Sequence, residues 1–168
     1  MKITNNYYKF IGVALLLIPF SAGAFTYNAE VIKVLDGDTV IVNDGKKEHR
    51  IRLCGIDAPE SKQEHGQWSK NLLQNIVKKF NNKVSVKVMD VDRYGRHVAS
   101  IGYSNFEFNT MMLEYGGAWV YERYADNCWN TKGINKAKHL AARARESHIG
   151  LWENKNSLEP WIWRRQNK

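Results

Sequence analysis

An α+β domain, a small Greek-key β-barrel of five strands carrying three helices, is the architecture this sequence predicts. Three observations lead there. Short β-rich runs at 39–42, 51–53, 84–88, 97–103 and 118–121 are bounded by Gly and Asn turn signals. Val84, Val86 and Val88 alternate with Ser85 and Lys87, the period of a strand with one buried face. Segments 67–80, 109–115 and 131–148 place apolar residues at helical spacing. No internal repeat or Gly/Ser-rich linker interrupts 25–168, so one core is expected.

The chain opens with Lys2 and Lys9, an apolar run from Phe10 to Phe20, and Ser21-Ala22-Gly23-Ala24. A charged start, a short apolar stretch and small residues at Ala22 and Ala24 predict a signal peptide over 1–24, cleaved before Phe25, and export to a periplasm or the exterior. The apolar run is too short to span a bilayer comfortably, so no membrane association is expected once the leader is gone. The net charge of +8 falls by the two leader lysines but stays positive, which makes polyanions natural partners.

The stretch from Asp36 to Glu60 concentrates the chemistry. Asp36-Gly37 and Asn43-Asp44-Gly45 are turn signals on either side of Thr39–Val42, and Ile51–Leu53 is a strand with Arg52 inside it. Reversal near Gly45 sets Asp38 opposite Arg52, so a carboxylate and a guanidinium share a face. Beyond Gly55, Pro59 fixes the backbone and holds Ala58 extended, leaving Asp57 and Glu60 at one rim. Two aspartates and a backbone carbonyl are hard oxygen donors suited to Ca²⁺ or Mg²⁺. A glutamate beside them can deprotonate a water, and an arginine can hold a phosphate through two parallel hydrogen bonds.

Helix 67–80 buries Trp68, Leu72, Leu73, Ile76, Val77 and Phe80 and ends at Asn81-Asn82. Asp92-Arg93-Tyr94-Gly95-Arg96 is the turn of a second hairpin, with Arg96 entering the next strand. Helix 109–115 stops at Gly116-Gly117, and 131–148 carries a stripe of Ile134, Ala137, Ala141 and Ala144 beneath a basic face.

Asp36-Gly37-Asp38-Thr39, Ile51-Arg52-Leu53, Gly55-Ile56-Asp57-Ala58-Pro59-Glu60 and Asp92-Arg93-Tyr94-Gly95-Arg96, in that order and spacing, resemble the staphylococcal nuclease (thermonuclease) family over roughly Ala29 to Trp152. The resemblance implies an oligonucleotide-binding (OB) barrel and a Ca²⁺-dependent nuclease, Mg²⁺ being the lesser alternative. Such an enzyme cuts DNA and/or RNA phosphodiesters endonucleolytically and leaves 3′-phosphate ends. It implies Asp38, Asp57 and the Ala58 carbonyl on the metal, Glu60 as general base, and Arg52 and Arg96 on the scissile phosphate. Tyr94, Tyr121 and Tyr124 fall where substrate contacts are expected, although Tyr121-Glu122-Arg123-Tyr124-Ala125 departs from the family pattern, as does the short segment after Glu60. Asp36 either supports the metal ligands from behind or only makes the turn.

For an exported chain, Cys54 and Cys128 are expected as a disulfide, with free buried thiols or a metal site as alternatives. The domain is placed at 25–153, and 154–168 is a basic, aromatic C-terminal extension whose tryptophans pack onto it. A monomer with no obligate protein partner is expected. The competing reading is a non-catalytic nucleic-acid-binding module on the same barrel; a phosphoesterase for small molecules is the third.

Overall fold

The computed structural model describes residues 24–167, so the expected leader, Ala24 apart, lies outside the described residues. In chain order the elements are β1 (Phe25–Val34), β2 (Thr39–Asn43), β3 (Glu48–Leu53), β4 (Ile56–Asp57), α1 (Gly66–Lys79), β5 (Lys83–Val91), β6 (His97–Tyr103), β7 (Phe106–Glu107), α2 (Phe108–Glu114), β8 (Trp119–Val120), α3 (Glu122–Ala125) and α4 (Thr131–Glu146). A 3₁₀ turn (Gly150–Glu153) and α5 (Pro160–Gln166) follow.

Five strands run in the order β3-β2-β1-β5-β6, and a parallel pairing of β3 with β6, Ile51 beside His97, closes them into a barrel. Inside it Val40, Val42, Ile51, Leu53, Val86 and Ile101 are at most 1% exposed. Each such side chain contributes about 1.5–3 kcal/mol of hydrophobic stabilisation. α1 and α2 cover the barrel, with Leu73, Ile76 and Val77 from one and Phe108, Met112 and Leu113 from the other joining the same core. Among the described residues no helix is long and apolar enough to cross a membrane.

Several differences from the sequence reading bear on the site. The barrel's fifth strand is β1, not 118–121. A bulge between Val31 and Lys33 shifts its inward positions, breaking the alternation that would reveal it. Residues Trp119 and Val120 instead pair with β4, opposing Asp57 and Ile56 respectively, outside the barrel. The helix count is also higher than three, through α3 and α5.

The β2–β3 register is offset by one residue from the expected one. Asp44 accepts from the amides of Lys46 and Lys47 and makes the loop four residues long, so Arg52 pairs with Thr39 rather than Asp38. Asp38 stands just before β2, free of strand alternation, and its side chain still turns to the Arg52 side. On α1, Trp68 is 38% exposed while Ser69 takes the buried position, its hydroxyl donating to the Gly117 carbonyl at 2.6 Å.

Candidate active site

Asp38 and Asp57 arrive from different elements and meet at Arg52. One terminal nitrogen of Arg52 lies 3.3 Å from Asp38 Oδ2 and 2.9 Å from Asp57 Oδ1. Its other terminal nitrogen donates to the carbonyls of Leu53 and Ile56, at 2.8 and 2.9 Å, so the guanidinium plane is fixed from both sides. Asp38 is held by the Ala58 amide donating to Oδ2 at 2.7 Å and by the Thr39 hydroxyl donating to Oδ1 at 3.0 Å. The Ala58 backbone is thereby pinned beside Asp38. Asp36 accepts from the Asp38 amide at 3.0 Å and forms the turn that aims it.

Negative charge is concentrated here. Burial, then the nearby Asp38 charge, push the Asp36 carboxyl up to about 7. Burial also raises Asp57, against the pull of Arg164 and Arg52. The Asp57 side chain is 1% exposed, and an isolated carboxylate so deep would be costly without positive partners.

Glu60, at the rim, is 37% exposed in its side chain. Its partner is one that the sequence reading missed: Arg164, from α5. Arg164 donates to Glu60 Oε1 at 2.8 Å and spans both oxygens of Asp57, at 3.2 and 2.7 Å. Burial would lower the Arg164 guanidinium, but the hydrogen bonds from it to Asp57 and Glu60 outweigh that and raise it. The available signal was Pro160, which opens a helix at its first position, followed by Trp161-Ile162-Trp163-Arg164-Arg165. That pattern predicts a helix but not where it docks.

Arg96 lines the same open cleft, about 1810 Å³ in volume, as the carboxylates and Arg52. Its Nε donates to Asp92 at 2.7 Å, and among the described residues its terminal nitrogens have no hydrogen-bond partner. Burial acts to raise Asp92, yet the amides of Arg96 and Tyr94 and the Arg96 side chain hold it below its ordinary range. Tyr94, 69% exposed, lies under Arg93 and Arg96, with their guanidinium carbons 4.8 and 5.6 Å from the ring centre. Tyr121 and Tyr124 also line this cleft, their rings 5.2 Å apart, and Trp161 of α5 stacks on Tyr121 at 5.6 Å. A disulfide joins Cys54 to Cys128 and ties the end of β3 to the loop after α3.

Among the described residues no three His, Cys, Asp or Glu side chains are arranged as a metal cluster. Asp38 and Asp57 bring carboxylate oxygens together beside Arg52, a donor chemistry that would suit a hard cation keeping several waters and would not suit zinc. Arg164, a cation bridging Asp57 and Glu60, marks where positive charge is accepted.

Residues 50–154 match the family model described as Staphylococcal nuclease homologue. The chain is similar to an uncharacterized endonuclease of Escherichia coli O157:H7, 36% identical over 93% of this chain and 97% of the relative. It is 33% identical to a micrococcal nuclease of Shigella flexneri, over 100% of this chain and 98% of the relative. An uncharacterized endonuclease of Haemophilus influenzae is 37% identical over 82% of this chain and 73% of its own length. The matched segment holds Arg52, Asp57, Glu60 and Arg96 but stops before α5. With a family model covering more than half of its length and full-length relatives above 30% identity, the chain belongs to the staphylococcal nuclease homologue family.

Proposed function

We propose that this protein is an exported, Ca²⁺-dependent endonuclease that hydrolyses DNA and/or RNA phosphodiester bonds and leaves 3′-phosphate ends. The observation that carries the reading is the convergence of Asp38 and Asp57 on one side of Arg52, with Glu60 at the rim of the same cleft. The nuclease names of the relatives support the reaction class. The leader pattern supports export, and a disulfide suits an oxidising compartment.

Asp38, Asp57 and the Ala58 carbonyl would hold the cation, which supplies positive charge to a phosphate oxygen as negative charge develops there. Glu60 takes the proton of the attacking water. Arg52, its plane fixed by two carbonyls, meets the phosphate without reorganising, the arrangement that makes electrostatic stabilisation effective. Arg96, tethered at Nε by Asp92, presents its terminal nitrogens to the same phosphate. Departure of the 5′ oxygen leaves the phosphate on the 3′ side. Tyr94 and Tyr124 offer ring faces to the bases, as does Tyr121 once Trp161 leaves it, and stacking needs no sequence-specific contact.

Digestion of plasmid DNA and of RNA with Ca²⁺, Mg²⁺ or chelator, followed by end-group analysis, tests this reading. Internal cutting that needs Ca²⁺ and yields 3′-phosphates is expected. Retardation of DNA without cutting in any metal would instead identify a binding module.

A further inference from the structure

The family motifs account for Asp38, Arg52, Asp57, Glu60 and Arg96, but not for the residue that makes the most contacts to this set. Arg164 comes from α5, beyond the segment that matches the family model. Its two terminal nitrogens engage both oxygens of Asp57 and one of Glu60. Arg52 already gives buried Asp57 a cationic partner, so Arg164 is a second guanidinium on one carboxylate.

A Ca²⁺ ion on a carboxylate sits about 2.3–2.6 Å from its oxygen. The nitrogens of Arg164 stand 2.7 and 3.2 Å from the two Asp57 oxygens, close enough to compete with a metal for that carboxylate. Two cations on one carboxylate would also repel each other at close range. The charges point the same way: Asp38, Asp57 and Glu60 are paired with Arg52 and Arg164, while Arg96 is engaged by Asp92. Without Arg164 these three carboxylates exceed Arg52 by two charges, which a divalent ion would match.

The attachment of α5 suits a part that can leave. The approach to it is anchored, because Gln63 Nε2 donates to the Leu158 carbonyl at 2.6 Å and the Ser157 hydroxyl donates to the Asn154 carbonyl at 3.0 Å. Beyond that anchor α5 has only seven residues, with Pro160 its one buried residue. It is held by the Trp161–Tyr121 stack, by the packing of Trp161 against Trp119, Leu151 and Trp152, and by Arg164 itself. A helix this short has little stability of its own, so its position depends on these side-chain contacts.

We propose that α5 is an intramolecular strap whose Arg164 guanidinium stands in for the divalent cation, so that docking of Arg164 and cation binding at Asp57 exclude one another. The inference rests on the cation site of the proposed function, and it adds a consequence for the chain in the absence of nucleic acid. Cation binding must release Arg164, which uncovers Glu60 and frees the face of Tyr121 that Trp161 covers.

Isothermal titration of Ca²⁺ into the full-length protein, without nucleic acid, tests it with wild type, Arg164→Gln and Trp161→Ala. Arg164→Gln is expected to bind about tenfold more tightly, allowing for solvent screening on the exposed side of the guanidinium. Trp161→Ala, which keeps the charge but loosens the strap, should shift affinity in the same direction by less. Amide hydrogen exchange over 159–166 should speed up on adding Ca²⁺ to wild type. Equal affinity in all three, or weaker binding by Arg164→Gln, overturns the strap and leaves the cation site standing. Absence of binding in all three overturns the cation site and the strap with it.

Discussion

Arg164 and Asp57 are 107 residues apart in sequence, yet the terminal nitrogens of Arg164 bridge both oxygens of the Asp57 carboxylate. The contact joins the last helix to the short strand after β3, and it couples the end of the chain to the chemistry of the cleft.

Glu60 and Arg52 should separate catalysis from folding. Glu60 is at the rim, so Glu60→Gln is expected to lower cleavage about 10²–10³-fold while leaving the melting temperature close to wild type. Arg52 also orders the carbonyls of Leu53 and Ile56 and neutralises Asp57, so Arg52→Gln should lose activity and also about 1–3 kcal/mol of stability. Cleavage kinetics beside urea unfolding of each variant would check both.

The Cys54–Cys128 bridge spans 74 positions and fixes the end of β3 against the loop after α3. A variant with both cysteines changed to serine should be less stable by about 2–4 kcal/mol. Its melting temperature should be insensitive to reductant, whereas that of wild type should fall toward it.

Asn109 is fully buried at the start of α2 and its amide works in three directions. It donates to the carbonyls of Cys54 and Ala99, at 2.9 and 3.2 Å, and accepts from the amide of Ile101 at 3.1 Å. Asn109→Ala removes this partner from the Cys54 carbonyl and the Ile101 amide, at about 1–3 kcal/mol for each that finds no water, while the Ala99 carbonyl keeps the Cys54 amide. Chemical denaturation should show a loss toward the upper part of what one mutation produces, and a variant as stable as wild type would contradict this role.

His97 gives stability a pH dependence of known sign. Burial first, then the charges of His49 and Lys47, lower it from 6.5, while the Tyr27 hydroxyl lies 3.0 Å from its Nδ1 and Asp44 pairs with His49. The folded state therefore favours the neutral ring. Its contribution is fully present above pH 6.5 and is lost as pH falls from there through the lower folded value. Unfolding free energies measured downward from pH 8 should decline less steeply in His97→Gln than in wild type.

The parts of the site legible in the sequence are those fixed by local geometry. Asp57 to Glu60 follow a glycine and flank a proline, so their placement at a rim depends on a few residues of backbone. The Asp92–Arg96 turn is equally local, closed by hydrogen bonds within five residues. The pairing of Arg52 was misplaced by one position, since its register depends on the length of the Asp44–Lys47 loop, set by side-chain hydrogen bonds of Asp44. Strand β1 was hidden by its bulge, and Trp119–Val120 had a strand's composition but too few partners to join the barrel. Arg164 could not be read at all, because its role depends on where a seven-residue helix docks, and its own sequence says only that it begins at Pro160.

Everything in the mechanism depends on one divalent ion lying between Asp38 and Asp57. Crystals soaked in Mn²⁺, or in Ca²⁺ with data collected for its anomalous signal, locate that ion without any assay of activity. A peak bounded by the carboxylates of Asp38 and Asp57 and the carbonyl of Ala58, with Arg164 turned out of the cleft, is the predicted result. A peak elsewhere on the molecule, or none while Arg164 keeps both oxygens of Asp57 at saturating metal, would contradict it.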